Sequence, residues 1–583
     1  MSSSTLASDI PHAIAAPPRT APPVSRMVQA FVLLGLLAVA APALMVRIPP
    51  LLDLPNHYAR IWLLAGGVKE GPLAQMYAVD WSSAWTNIGV DLLAQILGTV
   101  IPGQALGPLF LAAALVLPPV GAIALHRRLY GGWRWWQVAI PLTAFATTLL
   151  AGFLNYQIGL GLAMLAASSD PWLQSKVSPV QLLLCRIVIA VALLVVHIFA
   201  LGFYAALLGG MAVGPQLMAV FERREAFKRT VLKVTAVAAA VAIPLLAYRL
   251  TASHVPGEAS SETIWGPTTW QYKLDVLGCA FGTYDNLIDG LFFGTLVAIC
   301  GYAAWRGRLR VHQGLALAGL ALAVVSLLMP TWAAETGWID DRIPIMALLT
   351  LIAAVHPDIA DAKTARMAMA TAMLALVVGR AAWIGGIWVD RQADADAIQR
   401  ALVHVPAGSA VLPLDHRPSI RGMARAPIGR YFHLGASYYH DYTLSVMERQ
   451  AFSPLIFTMA GKQPLRVQDA WKDISVPNGG RSPTMAVLRK PTRGWLQVAP
   501  YIKHWRERFD YALMLNADVL EDVNKEPVPD GMTLVDDEGF ARLYRIDRIK
   551  PDDVEPAPEP GPRLIAAKAV KAKPPIAPVA PKV

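Results

Sequence analysis

The sequence predicts a polytopic α-helical membrane protein that ends in a smaller α/β domain. The chain has 583 residues, of which 55% are hydrophobic and only 16% are charged. Soluble domains carry about 25% charged residues. Apolar runs long enough to cross a bilayer recur between residues 27 and 388. From residue 390 the sequence becomes mixed polar and apolar, as expected for a domain outside the membrane.

The apolar runs predict about eleven transmembrane helices, with the N-terminus in the cytoplasm and residue 390 outside it. The predicted spans cover residues 27–46, 107–125, 135–151, 153–169, 179–216 as two spans, 231–250, 288–305, 312–330, 343–356 and 366–388. Basic clusters at 126–128, 222–229 and 306–310 fix the cytoplasmic side. These clusters account for the net charge of +10, so we predict no nucleic-acid partner.

Two stretches allow another interpretation. A cleaved signal peptide is the alternative for the first apolar run, because Ala38 to Ala41 resemble a cleavage site. Residues 88–101 are short for a span and predict a helix at the membrane interface. If they do span, a single span at residues 187–214 restores the same total, and the early loops change sides.

Four regions follow from this pattern. Residues 1–26 are rich in Ser, Ala and Pro and predict disorder, as do the Pro-, Ala- and Lys-rich residues 549–583. Residues 27–389 form the membrane domain, with a long external segment at 47–106. Residues 390–548 form the external α/β domain, with predicted strands at 409–414 and 511–515, a helix at 495–509 and a hairpin at 532–546.

An acidic residue follows the first span directly. Asp53 lies in the sequence Leu-Leu-Asp-Leu-Pro-Asn-His-Tyr-Ala-Arg-Ile-Trp from Leu51 to Trp62. Pro55 suits the first turn of a helix, and the apolar spacing beyond it predicts an amphipathic helix on the membrane surface. In isolation, Asp53 is a helix cap worth about 1 kcal/mol.

The position of Leu52-Asp53-Leu54-Pro55-Asn56-His57, together with the predicted architecture, resembles the GT-C superfamily of integral-membrane glycosyltransferases. The resemblance implies a sugar donor linked to polyprenyl phosphate, a glycan, lipid or protein acceptor, and catalysis at the outer face of a bacterial-type inner membrane. It implies that Asp53 is the general base. The paired acidic motif of several branches is absent here, and no residue pattern supports a divalent metal or other cofactor.

Six further side chains are candidates for the site. His57 lies one helical turn beyond Asp53, where it would orient the base or contact the donor phosphate; an interfacial histidine that only faces water is the alternative. An arginine at a membrane boundary pairs well with phosphate, which makes Arg342 a donor-binding candidate beside Asp341. An anchoring role or an ion pair with Asp340 or Asp341 is the alternative for Arg342. The weaker candidates for substrate binding are Lys273, Asn155 and His197. For Asn155 and His197, hydrogen bonding between helices is the alternative.

Other histidines do not predict a metal site. His404, His416, His433 and His440 lack the close spacing of zinc ligands. Two other classes of function remain open from the sequence: a transporter or lipid flippase, and a non-catalytic assembly protein of the cell envelope. No inverted repeat supports the transporter. A scaffold would tolerate Asn at position 53, whereas an enzyme would not.

Overall fold

The structure, a computed structural model, describes residues 24–222, 224–251, 263–334, 336–519 and 527–549. The predicted disordered ends therefore lie almost wholly outside the described residues. The chain up to residue 402 is mainly helical. Its α-helices, in chain order, are α1 Val24–Met45, α2 Leu54–Leu64, α3 Gly89–Leu97, α4 Gly103–Tyr130, α5 Thr147–Leu150, α6 Leu154–Lys176, α7 Pro179–Val196, α8 Ile198–Val213, α9 Met218–Glu222, α10 Arg224–Thr251, α11 Trp270–Gly278, α12 Asn286–Trp305, α13 Gln313–Leu328, α14 Ile339–Ala354 and α15 Lys363–Leu402.

Within the described part of the chain, six helices are long and apolar enough to cross a membrane: α1, α4, α7, α10, α12 and α15. Large apolar side chains on their outer faces are exposed, as expected for contact with lipid; Leu232 and Leu287 are more than 70% exposed. Four more predicted spans coincide with α6, α8, α13 and α14. Helices α8, α13 and α14 have 16 residues each, or about 24 Å, which is less than a hydrocarbon core of about 30 Å.

The predicted span at 135–151 is not one helix. Two short 3-10 helices, Trp135–Val138 and Ile140–Ala144, precede α5 instead. Pro141 contributes no backbone N–H, and Phe145 and Ala146 are extended, so a continuous helix cannot form here. The segment is almost completely buried and still runs the length of α4. Arg134, before it, binds the Tyr130 carbonyl at the end of α4, and Gly152, after it, lies against α2 near the start of α4.

Residues 88–101 contain one short helix, as the interfacial interpretation expects. Helix α3 has only nine residues, too few to span, and exposes Leu92, Leu93 and Ile96. Helices α7 and α8 are separate, with His197 between them, as the two-span interpretation of this region requires.

Helix α2 begins where Pro55 predicts, but all of its residues are buried. The expected surface helix with one polar face in water is therefore not what forms. The C-terminal domain covers that face: Asn56 donates to the Leu455 carbonyl at 2.6 Å and accepts from the Phe457 N–H at 3.0 Å. The sequence pattern of α2 alone carries no signal for this distant partner.

The C-terminal domain is built on one four-stranded sheet. The strands of the chain are β1 Tyr77–Val79, β2 Leu309–Val311, β3 Trp332–Ala333, β4 Thr336–Gly337, β5 Val355–Pro357, β6 Val411–Asp415, β7 Tyr431–Phe432, β8 Gly435–Ala436, β9 Leu465–Val467, β10 Tyr511–Leu515, β11 Met532–Asp537 and β12 Ala541–Ile546. The sheet order is β11-β12-β10-β6, with β10 parallel to β6 and antiparallel to β12. The predicted hairpin is β11–β12.

Short helices complete this domain: α16 Ile420–Arg425, α17 Leu444–Arg449, α18 Met485–Arg489, α19 Arg493–Val498 and α20 Trp505–Arg508. The single helix predicted at 495–509 is wrong. Pro500 begins a 3-10 helix, Pro500–His504, that separates α19 from α20. A proline inside an α-helix removes one hydrogen bond and clashes with the preceding turn.

A strand pair and a long helix also join the helical part of the chain to the C-terminal domain. Strand β1, from the segment after α2, pairs with β9 of the C-terminal domain from Tyr77↔Val467 to Val79↔Leu465. Helix α15 runs without a break through the predicted boundary at residue 390 and ends at Leu402. Its 40 residues make about 60 Å of helix, twice the thickness of a hydrocarbon core. The helix therefore extends well beyond any span that it makes.

Candidate functional site

Asp53 stands at the cap position of α2 without capping it. Its backbone is already close to helical (φ −90°, ψ −6°), and its carboxylate accepts no hydrogen bond from the helix. A capping side chain needs an extended backbone to reach the N–H groups of the first turn. The carboxylate is therefore free for another partner, and the cap alternative has no support in this geometry.

The turn before α6 holds the Asp53 backbone in place. Leu52 and Asp53 donate their N–H groups to the carbonyls of Leu150 and Ala151 at 2.9 and 3.1 Å. Gly152 follows with φ +80°, and a Cβ atom there would lie 2.7 Å from the backbone nitrogen of Leu54. Only glycine allows this close approach. The turn and the start of α2 therefore form one rigid unit.

Burial has the largest effect on the pKa of the Asp53 carboxyl. The residue is 8% exposed, and burial raises the pKa of its carboxyl to about 7, against the attraction of the positive Arg342 and Arg60 nearby. Loss of hydration disfavours the ionised form. A carboxylate with a pKa near neutrality is poised to accept a proton from a substrate.

His440 of the C-terminal domain faces this carboxylate. Its Nε2 lies 3.4 Å from Asp53 Oδ1, and its Nδ1 is buried without a hydrogen-bond partner among the described residues. Burial lowers the pKa of His440 to about 3, so the ring is neutral at physiological pH. The ring packs edge-on against Phe457, with centroids 4.9 Å apart. The sequence did not predict this contact, because the two residues come from distant parts of the chain.

His57 turns toward a buried ion pair. Its Nδ1 accepts a hydrogen bond from Arg60 Nη2 at 3.1 Å, and Arg60 Nε binds Asp91 Oδ1 at 2.6 Å. Burial, reinforced by the Arg60 charge, lowers the pKa of His57 well below its usual value. His57 thus belongs to the Arg60–Asp91 network that holds α2 against α3.

This network yields a stability prediction. The side chains of Arg60 and Asp91 are 0% exposed. Asp91→Asn is expected to destabilise the protein by about 3–5 kcal/mol, since it leaves a buried guanidinium without its counter-charge. Thermal melting in detergent measures the loss. The control is Glu225→Gln, which breaks an exposed pair with Lys228 and should change stability by less than about 1 kcal/mol. Equal melting temperatures for the two variants would contradict the prediction.

Arg342 lies in the first turn of α14 with its guanidinium available. The group stacks 3.8 Å from the centre of the Phe153 ring, and its Nε donates to the Gly337 carbonyl at 3.2 Å. Its two terminal nitrogens bind no carboxylate in the described part of the chain. The predicted alternative, an ion pair with a neighbouring aspartate, does not form.

The neighbouring aspartates have other partners. Asp340 accepts from the Tyr272 hydroxyl at 2.7 Å and from Thr331 Oγ1 at 3.1 Å. Asp341 accepts from the Cys279 thiol at 3.4 Å. Both terminal nitrogens of Arg342 therefore keep their N–H donors, and its positive charge acts on Asp53. A planar guanidinium of this kind suits a phosphate group.

The three weaker candidates for substrate binding form hydrogen bonds to backbone groups instead. Lys273 Nζ donates to the Leu327 carbonyl at 2.7 Å. Asn155 accepts from the Val90 N–H at 2.7 Å and donates to the Asn87 carbonyl at 2.8 Å, which fixes the start of α3. His197 caps α8 by accepting from the Phe199 N–H at 3.2 Å. The structure therefore brings Arg342 and His440 to Asp53 and gives these three side chains backbone partners.

No protein-family model and no curated protein matches this sequence. It is similar to the crystal structure of ArnT from Cupriavidus metallidurans bound to undecaprenyl phosphate, with a TM-score of 0.44 and 10% identity over 89% of this chain and 98% of that one. The apo form of ArnT from the same organism gives a TM-score of 0.43 and 11% identity over the same shares. The function is therefore argued from the site itself.

Proposed function

We propose that this protein is an integral-membrane glycosyltransferase that uses a polyprenyl-phosphate sugar, with Asp53 as general base. The observation that carries the proposal is a buried carboxylate that caps no helix and lies beside a guanidinium with free donors. The resemblance of residues 52–57 and of the helical architecture to the GT-C superfamily supports the choice of donor. The acceptor is a hydroxyl group of a glycan, lipid or protein of the cell envelope.

The reaction follows from these two groups. The acceptor oxygen attacks the anomeric carbon while its proton passes to Asp53, and the bond between that carbon and the phosphate oxygen breaks. The phosphate leaves with the bonding electrons and remains an anion, so it needs no proton from the enzyme. The Arg342 guanidinium binds that anion. His440, neutral and 3.4 Å from Asp53, faces the base from the C-terminal domain.

The pH dependence of the reaction is a direct prediction. The base acts only when ionised, and burial raises the pKa of Asp53 to about 7. We expect kcat/KM to fall about tenfold per pH unit below that pKa, because this parameter reports the free enzyme. Of the other groups facing Asp53, Arg342 and Arg60 contribute positive charge. Burial keeps His440 neutral and raises the pKa of the Tyr439 hydroxyl, so neither group titrates in this range.

The measurement is release of polyprenyl phosphate by purified protein from a labelled polyprenyl-phosphate sugar. Membranes from a deletion strain supply the acceptor, and initial rates are taken from about pH 5 to 8. A flat profile over this range would contradict the assignment of a buried carboxylate as base. Absence of any donor cleavage would contradict the proposed function as a whole.

The proposed function requires the site to be on the external side of the inner membrane. A reporter fused after Leu402, at the end of α15, is therefore expected to have the activity of an exported enzyme. The basic clusters at 126–128 and 306–310 support this topology. A fusion after Arg310 is the matched control and should report a cytoplasmic location. The reverse pattern would exclude an external site.

A further inference from the structure

A second cluster of reactive side chains lies beside Arg342. Cys279, Asp341 and His433 each offer one ligand atom, and the three atoms lie within 4.8 Å of one another. The Cys279 thiol donates to Asp341 Oδ1 at 3.4 Å, and His433 Nε2 is 4.0 Å from the same oxygen. Cys279 and Asp341 are 1% and 3% exposed, whereas the His433 side chain is 26% exposed.

We propose that Cys279, Asp341 and His433 form a zinc site. One sulfur, one carboxylate oxygen and one imidazole nitrogen are ligands that Zn²⁺ accepts together, whereas Ca²⁺ and Mg²⁺ bind oxygen ligands. Zinc–ligand bonds of about 2.0–2.3 Å at tetrahedral angles separate the ligand atoms by about 3.3–3.7 Å. The Cys279–Asp341 separation of 3.4 Å matches this range, and the His433–Asp341 separation of 4.0 Å is slightly longer. All three atoms lie within 4.8 Å, so a movement of His433 toward the other two completes the set.

The position of His433 allows that movement. It lies in the turn between β7 and β8, outside the helical core, and its partial exposure gives the ion a path from water. On binding, the Cys279 thiol loses its proton to solvent and the sulfur coordinates the ion. A thiolate and a carboxylate then balance the two positive charges of zinc, and water takes the fourth position.

The site joins three parts of the molecule. Cys279 follows α11, Asp341 lies in the first turn of α14, and His433 belongs to the C-terminal domain. The ion would therefore tie the C-terminal domain to the helical domain, next to the residue that we assign to the donor phosphate. Asp341, predicted from the sequence to bind substrate, is a metal ligand in this proposal. The proposal stands independently of the proposed function.

Metal content of the purified full chain tests the site. The protein is prepared with an affinity tag that contains no histidine, loaded with zinc chloride and desalted, and its zinc is measured by mass spectrometry. We expect one zinc ion per chain in the wild type and its loss in both His433→Ala and Cys279→Ser. The control is His404→Ala, an exposed histidine of the same domain paired with Asp536, which should keep the ion.

Two further readouts do not depend on activity. Chelation of the zinc should lower the melting temperature of the wild type and of His404→Ala, but not that of His433→Ala. X-ray absorption at the zinc edge should show one sulfur ligand in the wild type and in His404→Ala. Wild-type protein without zinc after loading, or His433→Ala with the same zinc content as the wild type, would overturn the proposal.

Discussion

Asp53→Asn is expected to abolish sugar transfer while leaving the protein folded and inserted. Asparagine is nearly isosteric with aspartate, but its amide cannot take the proton of the acceptor hydroxyl. General-base catalysis contributes about 10²–10⁴-fold, so kcat should fall by at least about 100-fold. No cap is lost, because the Asp53 carboxylate makes no cap hydrogen bond. Turnover of a polyprenyl-phosphate sugar by the purified variant measures the effect.

Stability provides the control for this variant. The folded state raises the pKa of Asp53 from 3.8 to about 7, so it binds more protons than the unfolded chain between these values. The stability contributed by this group therefore falls as pH rises through that window and stays low above pH about 7. Asp53→Asn removes the buried charge, so at pH about 8 it should melt at the same temperature as the wild type or higher.

A second control separates loss of this carboxylate from loss of any negative charge. Asp80→Asn changes an exposed aspartate in the same segment after α1, and it should keep wild-type turnover. Wild-type turnover in Asp53→Asn, or inactivity explained by a lower melting temperature, would contradict the catalytic role of Asp53.

Arg342→Ala is expected to have the second largest effect, on use of the lipid donor. Hydrogen bonds to charged groups contribute about 1.5–3 kcal/mol, so KM for the polyprenyl-phosphate sugar should rise about 10- to 150-fold. Arg342→Lys should rescue only part of the loss, because an ammonium group cannot bind phosphate through two parallel hydrogen bonds. Initial rates over a range of donor concentrations measure KM for each variant.

The matched control is Arg47→Ala. Arg47 also lies just beyond a predicted span, but it pairs with Glu448 at 3.0 Å and is 40% exposed. Its removal should leave KM for the donor unchanged. Equal KM values for the wild type and Arg342→Ala would contradict the role in donor binding. Arg342 would then be an anchor at the end of a helix.

Local features of the fold were predictable because their causes are local. Strand β10 was predicted at its observed bounds, and the turn residues Asp-Asp-Glu-Gly predicted the hairpin β11–β12. The first turn of α2 follows from Pro55. Helices α1, α4 and α12 were predicted from the length and apolar composition of their segments alone. Two segments that were predicted as single helices form shorter pieces instead, because each contains a proline that interrupts the helix.

The site was predictable only in part, because its contacts join distant segments. Asp53 and Arg342 were found from their positions at the ends of apolar runs. No role was predicted for His440, because its 3.4 Å contact with Asp53 depends on the docking of the C-terminal domain. The same docking buries α2 and brings His433 to Cys279 and Asp341. Ligand spacing along the chain carries no signal for such a cluster.

Lipid extracts of a deletion strain offer the most direct test of the enzyme in its own membrane. The strain is complemented with the wild-type protein, with Asp53→Asn or with Asp80→Asn, and polyprenyl-phosphate sugars are measured by mass spectrometry. A transferase that consumes such a donor should, when lost, leave it accumulated. We expect accumulation in the deletion strain and with Asp53→Asn, and normal levels with the wild type and Asp80→Asn. Normal levels with Asp53→Asn, or no accumulation in the deletion strain, would contradict the proposed function.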